Sequence, residues 1–330
     1  MKLHEIDAEK FNNLLLAEPD ANIYQSSFNA DYEVNRGNKA LFVEGFDEIG
    51  SCEALGMFVL KKGPFLSNKY TAYAPHGYLV NFYDDERFED FHVQLLPFLR
   101  NRGVNKLIIE PHVENDAEMV LEKLAELSYK KSGDRKTYEI DIDDFSPLKT
   151  PVNIISRVSL AEDISAAYDL LDRKEKEALN NRYSFYKDNT MVYIARLDSF
   201  KTQRALKESI NDAQAFVSDH LEDYKYQDKI KEREEEMSLL KRKLASLLKF
   251  EKQYGENPLL AAQAICFYGS NAETLFYVNS DQDNNFELEA ALLNEIAEQC
   301  IANGIHTLAC TPQSAFAKEV HLVGEYTCEL

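Results

Sequence analysis

Apolar residues recur every three or four positions over residues 86–102, with Phe88, Phe91, Leu95 and Phe98 on one face. They do so again over 286–302, with Leu288, Leu292, Ile296 and Ile301. Both patterns predict amphipathic helices. Each is followed by a glycine, Gly103 or Gly304, placed to serve as a left-handed C-cap, and then by an apolar run that reads as a buried strand ending at Pro111 or Pro312. Gly103, Val104, Leu107 and Pro111 match Gly304, Ile305, Leu308 and Pro312 at identical spacing. Upstream, each copy has two strand-like runs, 54–60 with 70–74 and 262–268 with 274–278. Strands followed by a crossover helix that returns to the sheet predict two similar α/β units, 1–150 and 151–330. Duplication would produce this match; the alternative is chance recurrence of a common helix–glycine–strand pattern.

The second unit is expected to open with a strand over 152–158 and a helix over 160–171, the latter started by an S-x-x-E capping box at Ser159 and Glu162. From 198 to 255 the texture changes, with charge dense up to Gly255 and neither proline nor glycine before it. Leu206, Ile210, Ala213 and Val217, then Met237, Leu240, Leu244 and Leu247, recur in steps of three and four on either side of a polar break at 222–228. This predicts an antiparallel coiled-coil hairpin over 199–256, inserted in the second unit and projecting from it. A hairpin whose stripes satisfy each other would be separable from the body. One long unpartnered helix is the alternative, and it would leave both stripes exposed.

Composition narrows the function. Of 330 residues, 45% are hydrophobic and 11% aromatic, enough for a packed core. Lys plus Arg is 37 and Asp plus Glu is 57, a formal charge of −20, which excludes a generally basic nucleic-acid binder. No apolar run approaches the roughly 20 residues of a membrane span. The start, MKLHEIDAEKF, carries acids and no apolar core of signal-peptide length, so a cytoplasmic protein is expected, or one peripheral at the inner face of the membrane. Five cysteines without a CxxC pair indicate neither a disulfide framework nor zinc, and Cys266 and Cys310 read as small core residues.

Familiar catalytic signatures are missing: the chain has no GxGxxG, GxxxxGK[ST], GxSxG or HExxH. No metal or cofactor is expected. Glu110, at the carboxyl end of a strand, is a candidate ligand for a hydroxyl or amine, or else a strand-end carboxylate facing water. His76 and His112 are loop histidines near strand ends. In DRKEKEALNNRYSFYKD, Lys174 and Arg182 either flank a diphosphate or belong to a helix surface laced with ion pairs.

Several segments together resemble the Fem family (FemABX type) of non-ribosomal peptidoglycan aminoacyltransferases. They are NIYQSSFNADYEVNRG with Gln25 and Ser26, KYTAYAPHGYLVNFYD, KLIIEPHVEND, NRYSFYKDNTMVYIARL and AAQAICFYGSNAETLFYVNSDQDN. The resemblance implies an α/β (α+β) fold of two acetyltransferase-like (GNAT-like) domains, the second carrying the helical arm. It implies transfer of an amino acid from aminoacyl-tRNA to the stem-peptide amine of lipid II or a UDP-linked muropeptide, as in cross-bridge formation. That chemistry asks for positioning and proton transfer rather than a protein nucleophile. Carried over, Lys318 would be the catalytic cation near the acyl carbonyl. Glu110, Lys174, Arg182, Tyr186 and Gln25 would bind substrate. The chain departs from the family pattern at Glu110-Pro111 for Asp-Pro, at Pro75-His76-Gly77 for Arg-Gly-Pro, and in a reduced basic content between the domains. These departures raise an alternative, a non-catalytic paralogue that binds or heterodimerises with another Fem-like protein; a homodimer is a further option.

Overall fold

A computed structural model describes residues 1–63, 69–280 and 286–330. The end of the last resembling segment, 281–284, lies outside them.

The strands form one twelve-stranded sheet in the order β1-β2-β3-β4-β5-β12-β6-β11-β10-β9-β8-β7. The first half supplies β1 (Lys2–Glu5), β2 (Lys39–Phe46), β3 (Cys52–Lys62), β4 (Tyr70–Ala74), β5 (Val104–Ile109) and β6 (Lys130–Asp141). The second supplies β7 (Ser156–Ala161), β8 (Thr190–Leu197), β9 (Leu259–Tyr268), β10 (Asn271–Asn279), β11 (Thr307–Cys310) and β12 (Lys318–Glu329). In each half the first four strands are antiparallel neighbours and the fifth lies parallel to the fourth. The crossover helices are α3 (Asp85–Arg100) and α8 (Leu288–Ala302). Gly103 and Gly304 close them at φ +80° and +66°, the left-handed backbone the spacing predicts.

The sixth strands are exchanged. β6 pairs with β11 of the second half, β12 pairs with β5 of the first, and β6 and β12 pair with each other at the centre of the sheet. Neither strand announces itself in the hydropathy: β6 reads KKSGDRKTYEID, with Ile140 alone buried.

β3 shows why the apolar runs are strands buried on both faces. Ala54, Phe58 and Leu60 enter a core with α3 and α4 (Glu118–Glu126), while Leu55, Met57 and Val59 point the other way. That opposite layer holds α1 (Ala8–Leu15), α2 (Ser27–Asn35) and α5 (Arg173–Tyr186), and joins the halves by packing Phe11, Leu15 and Ile23 with Leu179, Tyr186 and Ala264.

Two expectations are corrected here. Residues 159–161 do not begin a helix: Ser159, Leu160 and Ala161 continue β7 opposite Ile194, Tyr193 and Val192. Asp163 then caps a short 3-10 turn, Ile164–Leu170. The capping box lies further on, where Asp172 and Glu175 open α5. The second correction concerns the arm. Helices α6 (Ser199–His220) and α7 (Gln227–Tyr254) span the segment, and Gly255 ends the second at φ +79°. Their base is part of the body. Leu206, Ile210, Leu240 and Leu247 share one core with Phe286, Leu292 and Leu260, and the Thr202 hydroxyl accepts from the Ile155 backbone. The stripes therefore face the domain as well as each other. Among the described residues no helix is long and apolar enough to cross a membrane.

Candidate functional site

A cleft of about 350 Å³ opens at the middle of the sheet, with walls from both halves. The first half contributes Asn22, Tyr24, His76, Glu110 and His112; β6 adds Arg135 and Glu139; the second half adds Glu273 on β10 and Cys266 and Cys310 on the flanking strands.

Local chemistry fixes the first wall. The Asn22 side chain caps a 3-10 turn, Ile23–Gln25, by accepting from the Gln25 amide, and its Nδ2 donates to the His76 carbonyl at 3.1 Å. This brings the Tyr24 and His76 rings into a stack with centroids 3.9 Å apart. His76 has φ +49°, and a Cβ on the following Gly77 would sit 2.7 Å from Gln25 Cδ, so the turn requires glycine there. Glu110, just past β5, accepts from the Tyr73 hydroxyl at 2.9 Å and from the His76 backbone N–H at 3.1 Å, which aims its carboxylate at the cleft.

A chain of polar contacts crosses the halves. Arg182 Nη2 donates to the Tyr24 hydroxyl at 2.9 Å, and that hydroxyl donates to Glu273 Oε1 at 2.6 Å. Burial, with Glu139 adding to it, raises the Glu273 carboxyl above the ordinary carboxylate range; the Tyr24 hydrogen bond, Arg182 and Arg135 oppose the shift without cancelling it. Burial also holds His76 well below the usual imidazole range, helped by the charges of Arg135, His112 and Arg182. His112 is lowered likewise, by burial and then Arg135. At neutral pH the cleft thus holds two uncharged imidazoles, the raised carboxyl of Glu273 and an arginine. Burial pushes the Cys266 and Cys310 thiols up to about 12, which makes them poor nucleophiles.

Of the residues expected from sequence, Glu110 lines the cleft and Arg182 reaches it through Tyr24. The others lie elsewhere. Gln25 is fully buried, and its amide is used on backbone: Nε2 donates to Pro75 O at 2.7 Å and Met57 O at 3.3 Å, and Oε1 accepts from Met57 N. Tyr186 is buried and donates to Asn29 Oδ1 at 2.7 Å. Lys174 is exposed on the first turn of α5, about 12 Å along the axis from Arg182 at 1.5 Å per residue. The two cations are not brought together around a common point. Lys318 is exposed at the start of β12 and borders a shallow depression with Glu114, Asp116 and His321, outside the cleft. Sequence reasoning missed Tyr24, Arg135, Glu139 and Glu273. Tyr24 adjoins Gln25 in a resembling segment, but nothing in the sequence marks the polar positions of β6.

Among the described residues no group of three or more His, Cys, Asp or Glu is placed to hold a metal ion. A carboxylate-lined cleft with one weakened acid is suited to receiving a cationic amine and taking its proton.

Comparison with known proteins adds to this geometry. The model of the FemAB family matches residues 171–309, from just before α5 into β11. The crystal structure of FemX is similar over 100% of this chain and 98% of its own, with a TM-score of 0.70 at 15% identity, which shows a shared fold. A tandem GNAT protein from the clavulanic acid biosynthesis pathway is similar over 99% of this chain and 98% of its own, at a TM-score of 0.49 and 9% identity. No curated protein matches the sequence.

Proposed function

We propose that this chain, whose residues 171–309 match the FemAB family model and whose fold is shared with FemX, is a Fem-type aminoacyltransferase that moves an amino acid from aminoacyl-tRNA to the stem-peptide amine of a peptidoglycan precursor, lipid-linked or UDP-linked. The observation that supports it most is the cleft between the halves, where Glu110 and Glu273 face one space. In this reading the acceptor ammonium binds among the carboxylates and gives its proton to Glu273, whose pKa burial raises above the ordinary carboxylate range. Glu273 passes that first proton to solvent, the free amine attacks the ester carbonyl and the C–N bond forms; Glu273 then takes the second proton from the attacking nitrogen and delivers it to the ribose oxygen as the C–O bond to the tRNA breaks. The two units, 1–150 and 151–330 with the arm 199–256, would each supply one wall.

The test is transfer of labelled Ala, Ser or Gly from charged tRNA to purified muropeptide. Glu273→Gln keeps the Tyr24 hydrogen bond and removes the base, so kcat is expected to fall roughly 10²–10⁴-fold. No transfer by the unaltered protein, beside an active family control, removes the enzyme reading. The second reading, a non-catalytic partner of another Fem-like protein, draws on the −20 charge and the run Lys231-Glu-Arg-Glu-Glu-Glu236 on the arm, which repel a tRNA backbone. Co-purification of a Fem-like partner together with absent transfer supports it.

A further inference from the structure

The cleft is equipped for an anion as well as for a cation. Arg135 enters it from β6, with Glu110, Glu139 and Glu273 around it. Arg135 Nη1 donates to the Glu110 backbone carbonyl at 2.9 Å, which anchors one end of the guanidinium. Nη2 is fully buried and has no hydrogen-bond partner among the described residues. Folding normally pairs such a donor, because an unpaired buried one is costly. Lys136, the neighbouring cation on the wall, is exposed and taken up by Glu319 at 3.0 Å. For a bare alkylammonium acceptor a guanidinium in this position is a liability, since it repels the incoming charge. For an amine with a carboxylate close by it is a partner, because the fork of donors matches a carboxylate.

We propose that the acceptor amine handled in this cleft belongs to a zwitterionic amino-acid end, one that carries a carboxylate on the carbon bearing the amine, and that Arg135 is the specificity-determining residue that binds this carboxylate. The inference rests on the acceptor reading given above and narrows its substrate class. Glu110 and Glu273 take the ammonium while Arg135 takes the carboxylate, so the two charges of the ligand fix its orientation. A side chain ending in an amine alone leaves Nη2 unpaired.

The experiment is calorimetric titration of the full-length protein with two soluble UDP-linked muropeptides that differ in one residue: lysine in one, diaminopimelate, whose side-chain amine adjoins a carboxylate, in the other. The diaminopimelate form is expected to bind roughly 10- to 100-fold more tightly, the size of one charge-assisted hydrogen-bonded pair. Arg135→Gln abolishes the preference and Arg135→Lys keeps part of it. The comparison within the unaltered protein does not depend on how either variant folds. Equal binding, preference for lysine, binding of neither, or a preference that survives Arg135→Gln overturns the proposal. Transfer assays on the same acceptors separate the two readings. Equal transfer to both leaves the enzyme standing and sinks this inference, whereas a binding preference without transfer keeps this inference and sinks the enzyme.

Discussion

The Gln25 amide and the Tyr24 hydroxyl are adjacent in sequence, yet the first is consumed by the Met57 and Pro75 backbone while the second links Arg182 to Glu273. What a polar side chain can do here depends on which partners enclose it. His92 is a case outside the cleft. It is 4% exposed, and its Nδ1 lies 3.1 Å from the Tyr129 hydroxyl, which in turn meets Tyr78. Burial lowers its pKa from 6.5 to about 4. Between those two values the unfolded chain holds more protons at this site than the folded one, so stability falls as pH drops from about 6.5 toward 4. The slope for one such proton is at most about 1.4 kcal/mol per pH unit. Urea unfolding at several pH values should show the native protein losing stability across this window more steeply than His92→Gln. Parallel curves would mean that His92 titrates in the folded protein as it does in the unfolded chain.

At the scale of elements, the helical arm separates what periodicity can reveal from what it cannot. Steps of three and four located α6 and α7 and their polar break, but the same stripe serves a free hairpin or a helix pair seated on a domain. Leu247 is fully buried in the core that also holds Phe286, whereas Leu221, past the end of α6, is 61% exposed. Leu247→Ala is expected to cost about 2–5 kcal/mol and Leu221→Ala less than about 0.5, read by chemical denaturation. Deleting 199–256 should also weaken the body by uncovering that core. If Leu247→Ala has no more effect than Leu221→Ala, the arm stands clear of the domain. The strands follow a parallel lesson. β3 and β9 were legible as apolar runs, while β6 was not, because a strand at the centre of this sheet lines a polar cleft and pairs through its backbone.

For the whole molecule, the exchange of β6 and β12 makes the halves interdependent. Val323, Tyr326 and Cys328 of β12 fill the core of the first half, and Ile140 of β6 enters that of the second. A chain cut at 150 leaves each fragment without a strand its core needs and with an open sheet edge. Separately expressed fragments 1–150 and 151–330 are expected to be unfolded or aggregated, and co-expression should restore a complex with one cooperative unfolding transition. A monodisperse, cooperatively melting fragment on its own would contradict the exchange. The cleft lies along the same seam, so its two walls depend on the exchange as well.

Local pattern alone carried the repeated helix–glycine–strand units, their left-handed caps, the two long helices and the position of Glu110 at a strand end. These follow from side-chain periodicity and from the backbone freedom of glycine, which act over a few residues. Tertiary structure alone decided the strand exchange, the seating of the arm, the retirement of Gln25 and Tyr186 into packing, the exclusion of Lys174 and Lys318 from the cleft lining, and the gathering of Tyr24, Arg135 and Glu273 from positions far apart in the chain. The physical reason is that strand partners and charge neighbours are set by contacts between distant segments. A polar residue looks the same in sequence whether it meets water, a backbone carbonyl or a substrate.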